Sequence, residues 1–385
     1  MELFSEDTIK PLDKIFDRES EVALMRDLIN TSACFSVSGL RRVGKTTLIR
    51  SVAASIRDVL PVYHNLWGFG GTVEDLLSEL TDKILATLKK MVGFKGKLSE
   101  FVRSLELSVL FLRYKPKKDE LPRLLDSVIE RAVDYGYKVG ILLDEFQSFY
   151  DPRLLMRLSA LRDIFGTKIF ITFSGSVASL KRFIEADEEA PFYGRLDEKI
   201  LIEPFNIEQA KMFLRRGFEE KGVEISNEVI ELAISNLGGF PGWLVKFGKK
   251  MCREKKYDIT TANTVLRELF NEAKKTIYSE IARVLLDRKA PHKYLKILNY
   301  ISIRGMAGPT DIVNAGIVRQ KSLASEYLNF LTQYGLLKKI DRKYIIPDPL
   351  VLRTANQPEL IREVKKRIKK MHTRKRQQTI PKHNN

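Results

Sequence analysis

The hydrophobic pattern changes character about halfway along the chain. In the first half, short unbroken apolar runs alternate with stretches in which apolar residues recur every three or four positions. The runs Ala33 to Ser38, Pro61 to Leu66, Lys138 to Leu143, Lys168 to Phe173 and Lys199 to Ile202 are strand-sized. Thr46 to Val59, Val73 to Met91, Leu121 to Val133 and Leu154 to Phe165 read as helices. Leu76, Leu77, Leu80, Ile84 and Leu88 show the helical spacing. Continuous apolar strands separated by helices predict a parallel sheet covered on both faces. Gly93 to Lys118 is irregular, with Leu107 to Leu112 a candidate strand.

After Pro204 the periodicity is helical throughout. Ile207 to Glu220, Asn227 to Asn236, Trp243 to Cys252 and the long charged stretch Ala262 to Asp287 predict an all-helical unit. From Ala290 the order is a helix (His292 to Ser302), a short helix after Pro309, a helix (Ser322 to Tyr334) and a hairpin around Asp341 and Arg342. That order predicts a helix-turn-helix with a wing. A basic helix from Glu359 then runs out into Lys and Arg. The expected parts are residues 1–204 (sheet domain), 205–289 (helical lid), 290–352 (winged helix) and 353–385 (basic tail).

The 385 residues, 44% hydrophobic and 30% charged, are enough for two or three globular domains. No apolar run approaches the roughly 20 residues of a membrane helix. The acidic start Met1 to Asp7 does not resemble a secretory signal. Cys34 and Cys252 read as two buried reduced thiols, so a cytoplasmic location and no membrane partner are expected. Charge changes the picture more. The net charge is +17, and residues 353–385 hold 11 basic and 2 acidic residues. A polyanion such as nucleic acid is the partner such a surface implies, against the alternative of a generally Lys-rich surface.

Gly39-Leu40-Arg41-Arg42-Val43-Gly44-Lys45-Thr46 fits G-x-x-x-x-G-K-[ST] and lies between a predicted strand and a predicted helix. Glycines let backbone wrap phosphates, and the loop amides and helix N-terminus supply positive potential. The nucleotide-binding set is Gly39 to Thr46 with Thr47. Lys45 is expected on the β- and γ-phosphates and the Thr46 hydroxyl on Mg²⁺. The run Val139 to Leu143 ends in Asp144 and Glu145, which suits Asp144 for the metal and Glu145 for the attacking water. Ser174 stands at the tip of a further strand, where a hydroxyl reaches a γ-phosphate or water; a turn role is the alternative. Arg195, before the last strand, is a candidate phosphate ligand in cis or in trans, with an ordinary surface role as the alternative. His64, His292, His372 and His383 form no metal-spaced cluster.

Together these landmarks resemble the archaeal ATPase family within the STAND clade of P-loop NTPases, relatives of the AAA+ proteins. The resemblance covers roughly residues 16–355. It rests on Phe16-Asp17-Arg18-Glu19, the phosphate loop, the acid-tipped strand, Ser174-Gly175-Ser176, Phe192-Tyr193-Gly194-Arg195 and Gly238-Gly239-Phe240-Pro241-Gly242. Tyr327 to Leu337 and Tyr344 to Pro349 look like the family's winged-helix end. The fold implied is an α/β P-loop NTPase, an AAA+/STAND-like parallel sheet core followed by a helical lid and a winged helix. The cofactors implied are ATP and Mg²⁺. Ser174 is implied as the sensor and Pro241 as a neighbour of the base or ribose. Some relatives carry a nuclease-like domain after the winged helix; here a basic tail stands instead.

The expected function is an ATP-hydrolysing molecular switch whose winged helix and basic tail bind double-stranded DNA. Two alternatives stay open: a nucleotide-regulated protein scaffold with little turnover, and an origin-recognition-like replication initiator. Formation of a homo-oligomer also stays open.

Overall fold

The computed structural model describes residues 3–92, 120–184 and 190–379. The expected strand at Leu107 to Leu112 lies outside the described residues. The chain divides into two compact units. One comprises Asp7–Leu40 and Gly44–Glu203. The other comprises Arg41–Val43 and Pro204–Asn385, with the short N-terminal piece Glu2–Glu6.

In the first unit, β1 (Phe35–Gly39), β2 (Val59–Asn65), β3 (Lys138–Asp144), β4 (Ile169–Gly175) and β5 (Glu198–Ile202) form one sheet in the order β2-β3-β4-β1-β5. Every pairing is parallel. β1 and β4 are buried along their whole length, as continuous apolar strands covered on both faces must be. Helices Val73–Val92 and Glu120–Asp134 pack together, and Leu76, Leu80, Leu125, Val128 and Ile129 join the strands' core.

The helix after β1 is shorter than its periodicity predicts. It ends at Ser55, and β2 starts at Val59, two residues before the expected Pro61. Pro61 cannot continue a helix, and β2 lies at the sheet edge, where a missing N–H is tolerated. The eight-residue helix Val177–Ile184 after β4 was not legible from periodicity.

The second unit begins with helix Ile207–Glu219, capped by the Asn206 and Gln209 side chains. Helices Asn227–Leu237, Pro241–Met251 and Ile259–Val284 follow. Between them Gly239 meets Phe205 so closely that an added Cβ would lie 1.7 Å from the Phe205 carbonyl oxygen. The Phe205 N–H also donates to the Gly239 carbonyl at 2.7 Å. Helix Pro291–Arg304, strand β6 (Met306–Ala307), helices Pro309–Asn314 and Lys321–Gln333, and the hairpin β7 (Lys338–Ile340) and β8 (Lys343–Ile345) come next. The three short strands form an antiparallel sheet ordered β6-β8-β7.

The segment from residue 353, expected as a tail, is built into this unit. Arg353 lies in helix Pro349–Ala355 and stacks 4.0 Å from the Phe270 ring. Helix Leu360–Thr379 packs on Ile259–Val284 through the buried Leu360, Val364 and Ile368. Lys274 and Glu359 pair at 3.1 Å beside that seam. Apolar residues every fourth position give the basic helix a buried stripe, and the stripe decides its place.

Candidate functional site

The carboxyl ends of β1, β3 and β4 lie side by side because the strands run parallel, and ligands of such sheets bind at those ends. β1 leads into the loop, which closes at Gly44. That residue adopts φ 99°, a left-handed turn open to glycine, and caps helix Lys45–Ser55. The first N–H groups of a helix lack intrahelical acceptors, so they favour an anion. Lys45 is buried, and its ammonium donates to the Gly39 carbonyl at 3.1 Å and the Leu40 carbonyl at 2.7 Å. The loop thus folds around its own cation.

Asp144, at the end of β3, is 3% exposed and accepts from four donors. On Oδ2, the Thr46 hydroxyl approaches to 2.5 Å and the Tyr63 hydroxyl to 2.9 Å. On Oδ1, the Ser174 hydroxyl and the Glu145 N–H, at 2.9 Å, donate. Strand register makes this convergence. β2 sets Asn65 level with Asp144, and β4 sets Phe173 level with Leu143, so Ser174 follows beside Asp144. The Tyr63 ring lies 4.5 Å beneath the Arg50 guanidinium. Burial, and then the Asp144 charge, push the Tyr63 phenol well above its usual pKa.

Glu145 has left-handed backbone, φ 54°, a conformation held against local preference for a non-glycine residue. Its carboxylate accepts from the Gln147 amide at 2.6 Å, and Gln147 is buried. The sequence reading did not single out Gln147 or Tyr63. The only signals were a hydroxyl inside the apolar β2 run and a polar residue two places after Glu145.

The remaining expected residues have partners other than Asp144. Arg195 donates to the Ser159 hydroxyl at 2.5 Å and pairs with Asp163 at 3.1 Å. Thr47 lies in the first turn of helix Lys45–Ser55 and is half-buried. Arg41, Arg42 and Val43 fold with the second unit, where Arg42 binds Glu280. Pro241 opens helix Pro241–Met251.

The Thr46 hydroxyl and Asp144 carboxylate are adjacent hard oxygen donors, a set that fits Mg²⁺ held jointly with water and substrate phosphate. Among the described residues no three His, Cys, Asp or Glu gather to hold an ion by themselves. Among the described residues no helix is long and apolar enough to cross a membrane.

Comparison with known proteins bears on the family and the fold. Residues 15–247 match the family described as an ATPase domain predominantly from Archaea. The Walker-type ATPase PabY2304 of Pyrococcus abyssi is 25% identical and superposes with a TM-score of 0.72, over 92% of this chain and 100% of that one. The ORC2 protein of Aeropyrum pernix, solved as ADPNP and ADP complexes, shares the fold at 15% identity and a TM-score of 0.61, over 96% of this chain and 98% of that one. No curated protein matches in sequence. The chain is a P-loop ATPase with ATP and Mg²⁺ as its cofactors, and it belongs to the ATPase family found predominantly in Archaea.

Proposed function

We propose that the protein is an ATP-driven switch of the STAND type that binds duplex DNA. In this reading Lys45 leaves its two carbonyls to hold the β- and γ-phosphates. Thr46 and Asp144 hold Mg²⁺, which when bound supplies charge neutralisation on the phosphates. Glu145 orients and deprotonates the attacking water, and Ser174 senses the γ-phosphate from beside Asp144. Arg195 would have to leave Asp163 to reach a phosphate. Residues 205–289 act as the lid, with Pro241 near the base or ribose.

The succession of helix, short strand, two helices and hairpin supports reading residues 290–352 as a winged helix, with Lys321–Gln333 as its recognition helix. The observation that carries the DNA reading is the charge of the second unit's surface. Arg319 and Lys321 stand exposed at the start of that helix, Lys339 and Arg342 in the hairpin, and Lys365 and Lys369 on the outer face of Leu360–Thr379. Lysine and arginine on phosphates release counterions, so log K falls with log salt by about 0.9 per neutralised phosphate.

Fluorescence anisotropy of one labelled duplex across a salt series tests the reading. The comparison is between the intact protein and a variant with Lys365, Lys366, Lys369 and Lys370 changed to Gln, which keeps the buried stripe. Weaker binding and a shallower salt slope are expected. A flat, weak response of the intact protein removes DNA and leaves a protein-binding scaffold.

A further inference from the structure

The loop carries two adjacent arginines, and the second is already fully engaged. Arg42 adopts left-handed backbone, φ 65°, and folds with Arg41 and Val43 as part of the second unit. Its Nη2 donates to both oxygens of Glu280, at 2.6 and 2.7 Å. Its Nη1 lies 3.5 Å from Asp348 Oδ2, and its Cζ lies 4.3 Å from the centre of the Trp243 ring. Arg41 adds a 3.6 Å pair to the same Glu280. The backbone is tied as well, since the Gly242 N–H donates to the Arg42 carbonyl at 3.0 Å.

The partners are themselves fixed. Asp348 is buried, accepts the Trp243 indole N–H at 3.0 Å, and caps helix Pro349–Ala355 through the Leu350 and Val351 amides. Glu280 projects from the long helix Ile259–Val284. Two guanidinium groups thus face two carboxylates, and the charge balances locally. Arg42 has no surplus charge for a phosphate. What it supplies is geometry, because a non-glycine residue stays left-handed only where its surroundings enforce it.

We propose that Arg42 is a positioning residue for ATP binding. Glu280, Asp348 and Trp243 hold it so that the loop keeps the turn that aims its amides at the phosphates. Nucleotide affinity then depends on the state of the second unit, and Glu280 and Asp348 are the residues through which it does so. The inference rests on the reading of Gly39 to Thr46 as the phosphate loop.

The test uses the full chain, with MgATP affinity from calorimetry and steady-state ATPase kinetics. Glu280→Gln loses the charge-assisted fork, and Kd and KM are expected to rise roughly tenfold with kcat nearly unchanged. Arg42→Lys, which keeps the charge but cannot stack or bridge both acids, is expected to match it. Arg42→Met with Glu280→Gln removes both charges of the Arg42–Glu280 fork together, serves if the single variant fails to fold, and is expected to be no worse than either single change. Unchanged affinity in these folded variants overturns the proposal, and so does a fall in kcat at constant KM. Lys45→Ala separates the two failures. If it abolishes binding while Glu280→Gln does not, only the positioning role falls; if it too binds normally, the loop reading falls.

Discussion

The Gln147 side-chain amide donates to Glu145 Oε2 at 2.6 Å, and it does so from a buried position two residues further along the chain. Glu145 follows Asp144 directly, yet the two carboxylates have separate donors. The left-handed turn at Glu145 sends its N–H back to Asp144 and its side chain to Gln147. One acid is thereby held among the hydroxyls of Thr46, Tyr63 and Ser174, and the other is held by an amide.

Replacing Glu145 by Gln is expected to leave MgATP bound and to slow hydrolysis by about 10²- to 10⁴-fold, the usual contribution of a general base. Gln147→Leu, which releases the Glu145 carboxylate without touching Asp144, is expected to change kcat and to leave KM nearly constant. Single-turnover hydrolysis alongside calorimetry separates the two steps. Wild-type turnover by Glu145→Gln places the base elsewhere.

Tyr63→Phe removes one of the four donors on Asp144 and nothing else of comparable size. A hydrogen bond to a charged group is worth about 1.5–3 kcal/mol, so a stability loss at the low end of that range is expected. ATPase activity should fall with it, since Asp144 loses part of its anchoring. Guanidinium melts and turnover assays of the same preparation check both; a variant identical to wild type in both would show Tyr63 to be a bystander.

His64 gives the protein a dependence on pH. Burial, and then the nearby Lys83 charge, lower its pKa from 6.5 to about 4. The unfolded chain therefore takes up a proton near 6.5, and the folded chain does so only near 4. The neutral imidazole's contribution is complete above pH 6.5 and is lost as pH falls toward 4. The loss is on the order of 2 kcal/mol after allowance for partial solvation. Chemical denaturation of wild type and His64→Gln across that window should show a shallower decline in the variant. Parallel curves would refute the assignment.

Val364 is fully buried where helix Leu360–Thr379 packs on Ile259–Val284. Val364→Asp places an unpaired carboxylate in that seam and should cost more than about 3 kcal/mol. Changing the exposed Lys369 to Gln should cost less than about 0.5 kcal/mol. Differential scanning calorimetry distinguishes the two, and equal melting temperatures would mean that the helix is not docked in solution.

The phosphate loop was legible in sequence because its chemistry is contiguous. A glycine-bounded turn, a lysine and a hydroxyl act from neighbouring positions, and the flanking apolar runs announce the strand and helix that present them. The acid pair was legible for the same reason, as were the parallel sheet and the uneven charge. Tertiary structure decided the rest. Tyr63, Ser174 and Thr46 meet Asp144 only because parallel strands bring together residues that lie 30 to 98 positions away from it in the chain. Arg42 finds Glu280 and Asp348 across 238 and 306 positions. The basic segment after residue 353 shows the limit of composition: the helix from Glu359 was legible, but its charge did not show that a stripe of three apolar residues, Leu360, Val364 and Ile368, docks it. Local sequence sets which groups are present and which turns they make. Burial of apolar surface between distant segments sets which of those groups meet.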